Sequence, residues 1–323
     1  MIRAPNHLGD LVMSLPALRQ GMPEAVVVAR GLASLLALAS PDVEIIPIHR
    51  GAAGLAPAAR RVRKGRYDRA ILLTPSFSSA LLFRMSGVSR IRGAATDRRA
   101  SLLTERVPRP VIDALHRSSA YWLLATGEVP GSPPVPRLSV TPGLAARWRE
   151  RLGRPDGRII GIFPGGNASS RRWPTERYAT VAMRLTGDGH TVVVFGGPAE
   201  RDLTRRVALG RAIDCGGRTD LPLLAAALAA CDILVTNDSG PMHLAAAVGT
   251  ATVSLWGAGN PGATGPVGVE HRRLRRADLP CVPCVKNECP RHGAGFILPD
   301  AERECLALIE PADVLYAVRE ALA

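Results

Sequence analysis

Short runs of β-branched residues alternate along this chain with segments of helical periodicity, and few architectures accept that order. A first strand is expected at the very start, ahead of residue 6. The other candidate strands of the first half are 26–28, 43–48, 70–74 and 90–93. Those of the second half are 159–163, 191–195, 232–236 and 252–255. Helical patterns fill the gaps, for example 175–186, 221–231 and 240–248. Strand and helix in alternation predict parallel sheets flanked by helices, an α/β class. The run 130–136, Pro-Gly-Ser-Pro-Pro-Val-Pro, is too rich in proline for either element and reads as a linker, continued by a short helix over 142–152. The expected organisation is two Rossmann-like domains, 1–141 and 142–323, with a crevice between them.

Composition narrows the classes. A length of 323 residues suits two domains, and 46% apolar with 21% charged residues excludes wholesale disorder. Aromatics are only 4%, so Ala, Leu, Val and Ile must build the cores. Lys and Arg total 41 against 28 acids, and Lys64 and Lys286 are the only lysines. A charge of +13 carried by guanidinium suits phosphorylated ligands or an anionic membrane surface. The best apolar stretch, 221–231, ends at Asp232 and falls short of the ~20 residues a membrane span needs. The first residues lack the apolar core of a signal peptide, and six cysteines in this length are no secreted disulfide framework. A cytosolic protein is expected.

Four segments carry the chemistry. Asn6-His7-Leu8-Gly9-Asp10 follows the first strand and opens a helix. Asp10 there reads either as a helix-start carboxylate or as a general base at the carboxyl edge of a sheet, where open α/β folds place ligands. The run Phe163-Pro164-Gly165-Gly166-Asn167-Ala168-Ser169-Ser170-Arg171-Arg172-Trp173-Pro174 joins a glycine turn to two serines and two arginines. Gly165 and Gly166 let backbone approach a phosphate, Ser169 and Ser170 can donate to its oxygens, and Arg171 can neutralise it. Phe195-Gly196-Gly197-Pro198-Ala199-Glu200 repeats the strand-to-glycine turn and ends in an acid able to hold ribose hydroxyls. In Thr236-Asn237-Asp238-Ser239-Gly240-Pro241-Met242-His243, a strand ends in a polar turn and a helix follows. Asp238, Ser239, Gly240 and His243 are expected on one pocket wall.

Two other patterns imitate known sites. The run 257–262 matches G-x-G-x-x-G, but its prolines and further glycines are not expected to open the helix that a dinucleotide fingerprint requires. Cys281 and Cys284 have zinc-like spacing, with Cys289 and Cys305 following. They read as a locally packed cysteine loop or as a structural metal set, the distant Cys305 weighing against metal. Cys215 and Cys231 read as buried small hydrophobes.

Taken in order, these segments resemble glycosyltransferase family 9, the ADP-heptose:lipopolysaccharide heptosyltransferases. The marks are Leu8-Gly9-Asp10 with Leu15-Pro16, the Pro164-Gly165-Gly166 to Trp173-Pro174 run, Asn237 to His243, and the cysteine segment from Cys281. Pro5-Asn6-His7-Leu8-Gly9-Asp10 with Val12-Met13-Ser14 is closer to the heptosyltransferase II branch. The resemblance implies a GT-B fold, an acceptor domain followed by a nucleotide-sugar domain, and a C-terminal helix crossing back to the first domain. It also implies inversion at the anomeric carbon with no cofactor or catalytic metal. On its pattern Asp10 is the base, and Asn6 and Gly9 lie on the acceptor side. Arg171 faces the donor diphosphate, near Gly165, Gly166, Ser169 and Ser170. Glu200 holds the ribose, Asp238 the transferred sugar, and Ser239, Gly240, Met242 and His243 form the adjoining turn. The expected partners are ADP-heptose or a similar nucleotide-sugar, a phosphorylated lipid-linked glycan acceptor and the anionic inner face of the cytoplasmic membrane. Two departures stand out. Only Met1-Ile2-Arg3 supplies the first strand, which is either very short or begins upstream, and arginine replaces the family's usual lysine at 171.

Two further classes are weighed. A nucleotide-sugar epimerase or hydrolase of the same fold would turn over donor without an acceptor. A nucleic-acid binder is disfavoured because no aromatics interleave the arginines.

Overall fold

The computed structural model describes residues 1–49, 51, 54–141, 143–152, 157–289 and 304–323. The chain divides into two compact units, Met1–Leu138 and Ser139–Ala323, a boundary three residues before the one expected from the proline run.

The first unit holds β1 (Ile2–Arg3), β2 (Ala25–Ala29), β3 (Glu44–Ile48), β4 (Arg69–Leu72), β5 (Arg90–Ala94) and β6 (Glu105–Val107). They form one sheet in the order β3-β2-β1-β4-β5-β6, parallel throughout. The second unit holds β7 (Ile159–Phe163), β8 (Thr191–Gly196), β9 (Ile213–Gly216), β10 (Ile233–Asn237), β11 (Ala251–Trp256) and β12 (His271–Arg275). Its order is β12-β11-β10-β7-β8-β9, again parallel. Counted within each unit, both sheets have the doubly wound order 3-2-1-4-5-6. The strand order therefore reverses between β1 and β4 in one sheet and between β7 and β10 in the other. Ligands of open α/β sheets bind at the carboxyl ends of those pairs.

The central strands are buried along their whole length, for example β2, β7 and β10. That is why they read as unbroken β-branched runs. β6, β9 and β12 were not legible as strands, and each is a sheet edge. Edge strands keep one side unpaired and tolerate polar sequence, as His271-Arg272-Arg273-Leu274-Arg275 does. β1 has two residues, yet it pairs on both sides, with Ile2 opposite Val26 and Ile71.

Each unit has its own core. In the first, Ala70, Leu72 and Ile91 pack with Phe83 and Val62 from neighbouring helices. Arg99, fully buried, gathers the chain ends of β4 and β5: its Nη1 donates to the carbonyls of Thr74 (2.7 Å) and Ser76 (3.1 Å), and its Nε to that of Ala94 (3.0 Å). In the second, Ile160, Ile162, Val235 and Leu255 meet Tyr178 and Val181 of the helix Thr175–Gly187. The C-terminal helix Pro311–Leu322, expected to cross back to the first domain, gives its buried face to this second core through Val314, Ala317 and Val318. Its apolar stripe fits the apolar faces of β10 and β11, so hydrophobic burial holds it on its own unit.

A buried polar cluster sits on the β11–β12 edge. His271 Nε2 lies 2.5 Å from Ser254 Oγ, which also accepts the Trp256 indole N–H at 2.6 Å. Burial, helped by the charge of Arg273, pushes the His271 imidazole down to about 4. The folded protein thus holds it neutral while an unfolded chain protonates it near pH 6.5. Between those values the unfolded state binds the extra proton, so stability must fall as pH drops from 6.5 toward 4. Melting temperature is expected to fall more steeply over that window in the wild type than in His271→Gln. Parallel slopes would contradict the buried neutral imidazole.

Candidate active site

In the first unit the turn after β1 is built on a buried cation. Arg3 donates through Nη1 to the carbonyls of Ala4 (2.6 Å) and Val27 (3.1 Å), and through Nη2 to Asn6 Oδ1 at 2.5 Å. Asn6 is thereby fixed, and the helix Leu8–Gln20 starts directly behind it. Gly9 is buried and Asp10 lies in the helix's first turn, half-exposed. Backbone N–H groups at a helix start favour a carboxylate there. The Asp10 side chain also has partners that sequence reading missed. Tyr121 donates its hydroxyl to Asp10 Oδ1 at 2.8 Å, and Arg117 Nε stands 4.0 Å from the same oxygen. Both come from the helix Arg117–Thr126, which packs along Leu8–Gln20. Nothing local in the sequence announces contacts between residues 111 positions apart.

In the second unit the turns after β7, β8 and β10 converge. Glu200 joins two of them: Oε1 accepts the Gly166 N–H at 3.0 Å and Oε2 the Gly197 N–H at 2.7 Å. Gly165 leaves room for this arrangement, because a Cβ at that position would overlap the Glu200 carboxylate where it now stands. Ser239 packs beside Gly166 and stands at the N-cap of the helix Gly240–Ala247. Asn237, fully buried, ties the turn after β10 to the turn after β7. Its Oδ1 accepts from Trp173 N (3.0 Å) and Tyr178 OH (2.9 Å), and its Nδ2 donates to the carbonyls of Pro164 (2.7 Å) and Gly165 (3.2 Å).

Charge is concentrated next to that amide. Arg171 Nη1 lies 3.1 Å from Asp238 Oδ2, with the aspartate side chain only 4% exposed. Burial pushes the Asp238 carboxyl up from its ordinary range, and the Arg171 guanidinium pulls it back. Although the two charges touch, Asp238 Oδ2 and Arg171 Nε are both buried without a hydrogen-bond partner among the described residues. Gly259 makes room for this carboxylate, since a Cβ there would overlap Asp238 Oδ2. That glycine belongs to the 257–262 run, which opens one helical turn after all, Pro261–Thr264, with Asn260 Oδ1 accepting from Gly262 N at 3.0 Å.

The structure therefore brings Gly165, Gly166, Arg171, Glu200, Asp238, Ser239 and Gly240 to one edge of the second sheet. Met242 is fully buried and His243 nearly so, in a helix that is buried from Pro241 to Ala247. Ser169 and Ser170 are engaged in another way. Ser170 Oγ donates to the Lys286 carbonyl at 2.6 Å, and its N–H donates to that of Asn287 at 3.1 Å. Ser169 Oγ donates to the same Asn287 carbonyl at 3.4 Å. These hydroxyls fasten the arginine-bearing turn to the cysteine segment. Within that segment Cys281, Cys284, Cys289 and Cys305 are free and partly buried. Burial and the Cys281, Cys289 and Cys284 thiols push Cys305 up to about 11. Among the described residues no group of three or more His, Cys, Asp or Glu is arranged to hold a metal ion. Cys231 is buried and pushed up to about 12 by that burial, an inert thiol as its sequence context suggests.

Residues 56–294 match the model for glycosyltransferase family 9 (heptosyltransferase). The chain belongs to glycosyltransferase family 9. It is 29% identical over 303 residues to lipopolysaccharide heptosyltransferase 2 of Escherichia coli K12, covering 85% of this chain and 87% of that protein. Lipopolysaccharide heptosyltransferase 1 of Pseudomonas aeruginosa PAO1 is 30% identical over 311 residues, covering 88% and 85%. Among solved structures, the E. coli ADP-heptose heptosyltransferase II superposes with a TM-score of 0.83 at 25% identity, over 99% of this chain and 97% of that one. The family's GT-B architecture is thus the architecture of this protein, and the protein is a glycosyltransferase.

The Asn237 amide is the most exacting element of the family turn. In Asn237→Asp an oxygen replaces the N–H pair that faces two buried carbonyls, so about 2–4 kcal/mol of stability should be lost. Denaturant unfolding measures it. A change below about 0.5 kcal/mol, the range of ordinary surface substitutions, would contradict the role.

Proposed function

We propose that this protein transfers heptose from ADP-heptose, with inversion and without a catalytic metal, to a lipid-linked inner-core acceptor of lipopolysaccharide. The observation that carries the reading is the placement of family-matched residues at both switch points. Asp10 follows β1 in the first sheet, while Arg171 and Asp238 meet at the carboxyl ends of β7 and β10 in the second. The first unit is the acceptor side and the second the donor side.

The chemistry follows from that division. An acceptor hydroxyl oxygen forms the new bond to the anomeric carbon as the bond from that carbon to the diphosphate oxygen breaks. Asp10 takes the hydroxyl proton, and ADP departs with the electron pair. Arg171 receives the growing diphosphate charge, helped by the backbone N–H groups of the glycine turns. An arriving diphosphate competes with Asp238 for that guanidinium, which frees the aspartate to hold the sugar. Each Glu200 oxygen keeps a further lone pair beyond its backbone bond, enough to accept from ribose hydroxyls. Ser239, Gly240 and His243 line or support the same turn, and Asn6 and Gly9 border the acceptor. No helix among the described residues is long and apolar enough to cross a membrane. Arginine-rich charge supplies the affinity for a phosphorylated acceptor and for the anionic inner face of the cytoplasmic membrane. Among the described residues no feature favours an epimerase or a hydrolase.

Asp10→Ala is expected to cut heptosyl transfer by at least about 100-fold, the usual scale of a lost general base. ADP affinity, measured by calorimetry, should be unchanged. Transfer at the wild-type rate would remove Asp10 from the mechanism.

A further inference from the structure

A carboxylate that removes a proton needs one oxygen held and the other available. Asp10 meets that condition. Its Oδ1 accepts the Tyr121 hydroxyl at 2.8 Å and faces Arg117 Nε at 4.0 Å. Its Oδ2 accepts no hydrogen bond among the described residues, and the side chain is 31% exposed. Arg117 and Tyr121 are one helical turn apart, so they present to the same neighbour. Their helix is set by its own sequence: the His116 ring accepts from Ser118 N at the start, and Gly127 at φ +95° closes it. Packing of Arg117–Thr126 on Leu8–Gln20 then brings Tyr121 to Asp10 with a side chain that is only 5% exposed.

We infer that Tyr121 is a positioning residue for the reaction: it fixes Asp10 Oδ1 so that Oδ2 is presented to the acceptor hydroxyl. The inference rests on Asp10 being the base. A phenol suits the task because it is rigid and has one O–H to give. Burial, and then the charge of Asp10, push the Tyr121 hydroxyl well above its usual range, so it remains a donor at any working pH. Arg117, more exposed, adds positive charge on the same oxygen and leaves Oδ2 to the substrate. Without the phenol the carboxylate can rotate, and the fraction of complexes with an oxygen in line for the proton falls.

The test is a double-mutant cycle on the full chain, under single-turnover conditions with enzyme in excess so that slow variants remain measurable. Tyr121→Phe keeps the ring and its packing and removes only the O–H. It should lower the rate of transfer by roughly ten- to hundredfold, the scale of one hydrogen bond to a charged group. The KM for ADP-heptose should stay at the wild-type value. In an Asp10→Asn background the same substitution should have no further effect, because its only route to the chemistry is through that carboxylate. An equal loss in both backgrounds, a loss carried by KM, or no loss at all would overturn the assignment. Failure of the base itself is distinguishable: there Asp10→Asn would transfer at the wild-type rate, whatever Tyr121→Phe does.

Discussion

The buried amide of Asn237 is the constraint on which the second unit's site depends. It sits at the last position of β10, and all its polar capacity is used across chain segments far apart in sequence. Two donors on Nδ2 hold the turn after β7, and two lone pairs on Oδ1 hold Trp173 and Tyr178 at the start of the next helix. Trp173 in turn donates its indole N–H to the Ile309 carbonyl at 3.0 Å, just ahead of the C-terminal helix. One side chain thus registers the glycine turn, the arginine turn and the chain's last segment. A charged or apolar residue of the same size lacks the donor–acceptor pattern, and unmet buried polar groups are costly.

That frame lets a buried carboxylate meet a half-buried guanidinium beside it. Arg171 and Asp238 make contact, but the aspartate oxygen nearest the guanidinium has no well-directed hydrogen bond among the described residues. Removing the arginine would strand the aspartate in a low-dielectric setting, whereas a ligand carrying two negative phosphates offers the arginine a better geometric match. The first unit solves a related problem differently. There Arg3 and Arg99 are buried cations satisfied largely by carbonyl oxygens, and they shape the turns after β1, β4 and β5. Arginine abundance in this chain therefore has a structural share.

Sequence alone made the central strands and the family turns legible because burial on both faces forces β-branched runs and tight turns force glycine. Edge strands β6, β9 and β12 lacked that pressure and were missed. Amphipathicity in the last helix foretold the helix, and Val314, Ala317 and Val318 give its apolar stripe to the second core. The serines at 169 and 170 had the right chemistry for a phosphate, yet their hydroxyls are given to backbone carbonyls of the 286–287 segment. Glu200, expected as a ribose acid, stands as the brace between two glycine turns. Tyr121 and Arg117 were invisible because only helix packing brings them to Asp10.

The most direct test of the account is a thermal-shift titration of the whole protein with ADP, UDP and GDP. A nucleotide that binds the folded state alone raises the melting temperature by mass action. A dose-dependent rise with ADP, not matched by UDP or GDP and lost in Arg171→Ala, is expected. An equal or larger rise with UDP or GDP, or no rise with any of the three, would contradict a donor site for ADP-heptose in the second unit.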